Sequence, residues 1–122
     1  MTKALIIDDE EDVRYIVQMS LGRVGQMTVI EATNGEEGIA LAKREQPEFI
    51  LLDMMMPGMD GVTVFRALRA APETAAIPVV FLTAKAMVSD VQRLMALGAK
   101  GVVVKPFDPL TLAADINAML AA

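Results

Sequence analysis

Phe49-Ile50-Leu51-Leu52-Asp53-Met54-Met55-Met56-Pro57-Gly58-Met59-Asp60-Gly61 runs from an apolar strand, through a carboxylate, into a Pro-Gly turn and the start of a helix. An ionised Asp at the end of a buried strand needs a cation or hydrogen-bond donors. A lone carboxylate at a hydrophobic edge otherwise costs several kcal/mol or takes up a proton. The segment therefore reads as a strand that delivers Asp53 to a site, followed by a helix capped by Asp60.

The same unit recurs on both sides of it. Ala4-Leu5-Ile6-Ile7 is a short apolar strand ending on Asp8-Asp9. Val13, Ile16, Val17, Leu21 and Val24 recur at helical spacing and predict a helix over Glu11 to Val24, stopped by Gly25, with Val13, Ile16, Val17 and Leu21 facing the core. Met27 to Ala32 alternates and reads as an edge strand. Thr33-Asn34-Gly35 opens a helix to about Gln46, with Glu36 and Glu37 at the positive end of its dipole and Pro47 closing it. Past the quoted stretch, the helix from Gly61 reaches about Ala71, and Ile77 to Leu82 is a fourth strand. A helix containing Ser89-Asp90 ends at Gly98, and Gly101 to Val104 is a fifth strand. Asp108-Pro109 predicts the start of a last helix with Leu112, Ile116, Met119 and Leu120 on its apolar face.

Five strands each followed by a helix imply βα units and a parallel sheet. Strands that are apolar throughout are covered on both faces, and right-handed crossovers then give an α/β doubly wound sandwich with helices on both faces. The expected organisation is one domain over residues 1–122.

The 122 residues include no Cys and no His. Thiolate zinc sites, disulfides, catalytic thiols and Ser-His-Asp chemistry are thereby excluded, and any metal must be a hard ion held by oxygen. A net charge of −5 argues against direct nucleic-acid binding. No apolar run approaches the roughly 20 residues of a membrane span, and the start of the chain carries no signal-peptide pattern. Cytoplasmic residence without membrane insertion is expected.

Sites in open parallel sheets lie at the carboxyl ends of strands. Here those ends carry Asp8-Asp9, Asp53, Thr83 and Lys105-Pro106. Taken singly, each has an ordinary explanation: an acidic first helical turn, a turn residue, a strand-end hydroxyl, a surface lysine. Their joint position does not. Two carboxylates about 5 Å apart repel by roughly 3 kcal/mol at an effective dielectric near 20, so three together call for protonation or a divalent cation. Oxygen ligands with retained water suit Mg2+. With Lys105 opposite and Thr83 as a short donor, the set suits phosphoryl transfer onto a carboxylate nucleophile.

These residues resemble the receiver domain of two-component response regulators. The resemblance covers essentially the whole chain. It is carried by Asp8-Asp9 after an apolar strand, Asp53 with Met56-Pro57 and Met59-Asp60-Gly61, Thr83-Ala84, Gly98-Ala99 and Lys105-Pro106-Phe107. It implies the flavodoxin-like strand order 2-1-3-4-5. It implies Asp53 as phosphoacceptor, and Asp8, Asp9 and Asp53 with the Met55 carbonyl as the Mg2+ contacts. Lys105 and Thr83 would bind phosphoryl oxygens, and the Lys105–Pro106 peptide would be cis. It implies a sensor histidine kinase or histidine phosphotransfer protein as donor. Output would go to a downstream protein target through the fourth helix, fifth strand and fifth helix, from a monomer or a phosphorylation-dependent dimer. The protein would be a switch that catalyses only its own aspartyl phosphorylation and dephosphorylation.

One departure from the family's pattern is Val102, where an aromatic residue commonly stands three positions before the lysine. A ring swing then cannot be the output switch, and loop packing around Thr83 is expected to carry the signal. Met55 and Lys85 stand at positions that border the phosphoryl group in the family, and a long-lived phosphoaspartate is expected from them. Tyr15 and Met19, an i,i+4 pair on the outer side of the first helix, form a candidate docking patch.

Three rivals remain at this level. A haloacid-dehalogenase-type phosphatase would want a second Asp two residues after Asp53, where Met55 stands. A flavodoxin-like electron carrier would want a Ser/Thr-rich phosphate loop after the first strand. A receiver fragment of a longer regulator fits the same residues.

Overall fold

The computed structural model describes residues 2–84 and 87–122. Five strands, β1 (Lys3–Ile7), β2 (Thr28–Ala32), β3 (Phe49–Asp53), β4 (Val79–Thr83) and β5 (Gly101–Val104), form one sheet in the order β2-β1-β3-β4-β5. Every pairing is parallel. The registers Ile7↔Leu52 and Asp53↔Leu82 bring the ends of the three central strands to one rim.

Period-two alternation sorts the strand side chains into two cores. Leu5, Ile7, Ile50, Leu52, Val79 and Phe81 point to one face. There they meet α2 (Gly35–Glu45), α3 (Gly61–Ala70) and α4 (Val88–Leu97) through Ala42, Val64, Phe65, Leu68 and Leu94. Ala4, Ile6, Phe49, Leu51, Val80 and Leu82 point to the other. They meet the first helical segment and α5 (Leu112–Ala121) through Val17, Leu21, Leu112 and Ile116. Fully burying a side chain such as Leu52 or Phe81 stabilises by about 1.5–3 kcal/mol. Both faces of the central strands are thus dry, which leaves the rim as the place for polar groups.

The helix starts follow their sequence signals. The Asn34 side chain accepts the Glu37 N–H at 2.9 Å, and Glu37 Oε1 accepts the Thr33 N–H at 2.6 Å, so α2 opens with reciprocal capping. Asp60 Oδ1 accepts the Thr63 N–H at 2.9 Å and caps α3. Gly98, at φ +116°, ends α4 in the left-handed region.

The first helix departs from its expected form. It is α-helical over Glu11–Val17 (α1) and continues as a π-helix over Gln18–Val24. The Gly25 N–H donates to the Ser20 carbonyl, an i→i−5 bond. An α-helix returns to nearly the same face after seven residues. The wider π turns do not, so Val24 faces outward at 51% exposure instead of joining Val17 in the core. Ile16, expected inside, is also exposed (39%). The last helix begins three residues later than Asp108-Pro109 suggested. Asp108 Oδ1 accepts the Leu110 N–H, and the Asp108 carbonyl accepts from both Thr111 and Leu112, so a separate turn precedes Leu112. The Lys105–Pro106 peptide is cis, as expected.

Candidate functional site

Three of the strand-end residues meet on the rim. Asp8, just past β1, and Asp53, the last residue of β3, are buried acidic side chains. Lys105, just past β5, reaches back over both. Its Nζ lies 3.3 Å from Asp8 Oδ2 and 3.5 Å from Asp53 Oδ1. Parallel strand order does this work: β1, β3 and β4 are adjacent, and β5 brings the lysine from the far side of β4.

The loop after β3 is shaped around Asp53. Its Oδ1 accepts the Met55 N–H at 3.2 Å, and the Gly61 N–H donates to the Met54 carbonyl at 3.0 Å. A Cβ on Gly61 would sit 2.5 Å from the Asp53 carbonyl oxygen and 2.8 Å from Met54 Cα. Only glycine lets α3 start this close to the Asp53 backbone. On β1, Asp8 Oδ1 accepts the Glu10 N–H at 2.9 Å, and Arg14 binds the Asp8 carbonyl at 2.9 Å.

Each carboxylate keeps one buried oxygen, Asp8 Oδ2 and Asp53 Oδ2, without a hydrogen-bond partner among the described residues. Burial, then the Asp8 charge, pushes Asp53 up to about 6, against the pull of Lys105. Burial also raises Asp8, opposed by the Glu10 N–H and Lys105. Burial alone would lower Lys105, but Asp8 and Asp53 outweigh it and the ammonium ends above the ordinary lysine value. Two buried carboxylates held near one ammonium thus retain unmet demand for positive charge. Hard oxygen donors, with Asp8, Glu10 and Asp53 each offering an oxygen within 4.8 Å of the others, fit a magnesium ion.

Thr83 ends β4 as a buried residue, and its carbonyl accepts the Lys105 N–H at 2.8 Å. It lines a cleft with Met54, Met55, Met87, Asp90 and Arg93. Met55, one of the lining residues, is 62% exposed. Asp9 is exposed and stands outside the close carboxylate group. Lys85 lies outside the described residues. Val102 is half-buried and packs against the core under α4.

Glu10 is the residue that the sequence reading missed. Its Oε1 is 3.3 Å from Lys105 Nζ. The signal was present in the acidic run Asp8-Asp9-Glu10-Glu11-Asp12. The Asx turn at Asp8, which folds Glu10 back over the rim, decides between it and its neighbours.

The family described as response regulator receiver domain matches residues 4–117. The chain belongs to that family. It is 39% identical to PilH of Pseudomonas aeruginosa over 121 residues, covering 99% of both chains. It is 42% identical to ycf27 of Porphyridium aerugineum over 118 residues, covering 97% of this chain and 48% of ycf27. It therefore spans nearly all of PilH but about half the length of ycf27. Among solved structures, the chemotaxis response regulator CheY4 of Vibrio cholerae superposes with a TM-score of 0.89 at 32% identity, covering 98% of each chain. The response regulator of Desulfuromonas acetoxidans gives 0.87 at 26% identity, covering 99% of this chain and 98% of the other. Receiver domains are signalling switches of two-component systems, and this receiver has their sheet order. No helix among its described residues is long and apolar enough to cross a membrane.

Proposed function

We propose that this receiver takes a phosphoryl group onto Asp53 from the phosphohistidine of a sensor kinase or phosphotransfer protein, with Mg2+, and signals through protein contacts. The observation that carries the reading is the pair of buried Asp8 and Asp53 oxygens that lack a hydrogen bond among the described residues, beside the Lys105 ammonium. Asp8, Asp9, Asp53 and the Met55 carbonyl would hold the metal, and Glu10 stands beside them. Bound there, magnesium supplies charge neutralisation for phosphoryl oxygens.

The chain's own groups have defined tasks. An Asp53 carboxylate oxygen attacks phosphorus, the P–N bond to the donor imidazole breaks, and the imidazole leaves with the electron pair. Met55 N–H orients the attacking carboxylate through Oδ1. Lys105 is placed to take a phosphoryl oxygen, because it already stands 3.5 Å from the acceptor carboxylate. Thr83 is at the strand end nearest Asp53 in register, Asp53 pairing with Leu82. A phosphoryl group brings more charge and more acceptors than the carboxylate it replaces. It shifts the equilibrium only as far as the active arrangement binds it better. Two or three charge-assisted hydrogen bonds reach the about 5.5 kcal/mol that a near-complete switch requires.

An apolar recess lined by Val13, Ile16, Ala84, Pro106, Phe107 and the Lys105 stem adjoins the site. Tyr15, Ile16 and Met19 are exposed on the first helix beside it. Their position supports docking of the phosphodonor there, with Ile16 added to the Tyr15–Met19 pair. Output through α4, β5 and α5 is supported by the β5 backbone link to the site, Lys105 N–H to the Thr83 carbonyl. Residues 1–122 would act as one receiver domain in the cytoplasm.

The test is incubation with acetyl phosphate and Mg2+ followed by intact mass. Wild type gains one phosphate and Asp53→Asn gains none. Multiple turnover of phosphate esters, or equal labelling of both proteins, sinks the reading.

A further inference from the structure

We propose that Glu10 is a positioning residue for Lys105: it competes with the incoming phosphoryl group for the ammonium, and so sets how readily this receiver enters its phosphorylated arrangement. The inference rests on the phosphoacceptor reading of Asp53. Lys105 Nζ is shared among Asp8 at 3.3 Å, Glu10 at 3.3 Å and Asp53 at 3.5 Å. These partners are not equivalent. Asp8 and Asp53 are buried in the floor of the site. The ammonium therefore stays within reach of both when a phosphoryl group is added. Glu10 is at the rim, its side chain 59% exposed, and it offers an oxygen within 4.8 Å of oxygens of Asp8 and Asp53. A phosphoryl group on Asp53 must take the ammonium from that contact.

Glu10 is also the carboxylate whose release leaves no buried charge behind. Losing Lys105 would leave Asp8 Oδ2 with neither an ion pair nor a hydrogen bond. Glu10 would simply return to water. The contact is held in place by local structure, because Asp8 Oδ1 fixes the Glu10 backbone through its N–H. Glu11, one residue on, begins α1 and is exposed. It has the same charge, yet the ion pairs of Lys105 among the described residues go to Asp8, Glu10 and Asp53. The acidic run thus contains both a competitor for the lysine and a built-in control.

The experiment measures affinity for beryllofluoride, a phosphoryl stand-in, at saturating Mg2+ by amide NMR. The proteins are wild type, Glu10→Gln and Glu11→Gln, with Glu10→Gln repeated in a Lys105→Met background. Glu10→Gln is expected to bind beryllofluoride about two- to fivefold more tightly, the range for a half-exposed ion pair. Glu11→Gln is expected to match wild type, and the Glu10→Gln gain is expected to vanish without the lysine ammonium. An equal gain in Glu11→Gln, a gain that survives in Lys105→Met, or weaker binding in Glu10→Gln overturns the proposal. If Lys105→Met does not fold, the Glu10→Gln and Glu11→Gln comparison decides alone. Wild type that takes neither beryllofluoride nor acetyl phosphate overturns the phosphoacceptor reading itself.

Discussion

Asp8 and Asp53 each hold one carboxylate oxygen in a hydrogen bond to a backbone N–H two residues ahead, Glu10 and Met55 respectively. Each leaves its second oxygen buried without one among the described residues. Two strands that are neighbours in the sheet thus end on the same local turn and present their unsatisfied oxygens to one place. The receiver's resting state keeps this frustration and offsets only part of it with Lys105.

The first consequence is a pH-dependent cost at Asp53. Its pKa is raised to about 6 from 3.8, so the folded state holds its proton after the unfolded chain has released it. Stability is therefore lost as pH rises between those values and stays low above them. Asp53→Asn should raise the metal-free protein's stability at pH 7.5 by about 2–3 kcal/mol. The difference should largely close below pH 4. Urea denaturation of both proteins in EDTA at the two pH values checks this.

Removing the cation should act in the opposite direction. Lys105→Met leaves Asp8 and Asp53 without their shared ammonium. An uncompensated buried charge costs about 3–5 kcal/mol. Denaturation of Lys105→Met at pH 7.5 should show a loss near the low end of that range, because Lys105 is partly exposed. A double variant with Asp53→Asn should recover part of it.

Magnesium should stabilise the fold by mass action. At one hundred times its dissociation constant the gain is about 2.7 kcal/mol. Thermal unfolding with and without MgCl2 should show this rise in wild type and lose it in Asp8→Asn. Asp9→Asn should weaken magnesium binding about tenfold or more if Asp9 ligates directly, as the resemblance implies. Unchanged binding in Asp9→Asn confines the metal to the carboxylates that are already close.

Gly61→Ala should damage the site without touching its chemistry. The new Cβ meets main-chain atoms of Asp53 and Met54, which cannot swing away as a side chain would. Overpacking of this kind costs about 1–3 kcal/mol. We expect that loss in urea denaturation and, on the proposed acceptor role of Asp53, a slower acetyl-phosphate reaction, because the Asp53 backbone must shift.

Much of this was legible in the sequence because its signals are local. The buried strands, the Asn34 and Asp60 caps and the Gly98 stop each follow from a few consecutive residues, and all appear in the fold. The meeting of Asp8, Asp53 and Lys105 follows from strand order, which the resemblance supplied. The outward turn of Val24 was not legible. An α-helical count assumes constant spacing, and the π turns from Gln18 break it. Glu10 was hidden for a related reason. Five consecutive acidic residues from Asp8 to Asp12 look alike until a turn selects one. The start of α5 was misplaced because Asp108 closes a turn that the Asp-Pro pair does not distinguish from a helix cap.

The π segment also links two distant parts of the chain. Ser20, buried inside it, donates its hydroxyl to the Pro109 carbonyl in the turn that follows Lys105-Pro106-Phe107. Anyone building chimeras by transplanting the outer surface of the first helix must carry the stretch through Gly25 intact. A donor segment wound as an ordinary α-helix would rotate position 20 off that carbonyl, and the graft would loosen a loop some ninety residues downstream in the chain.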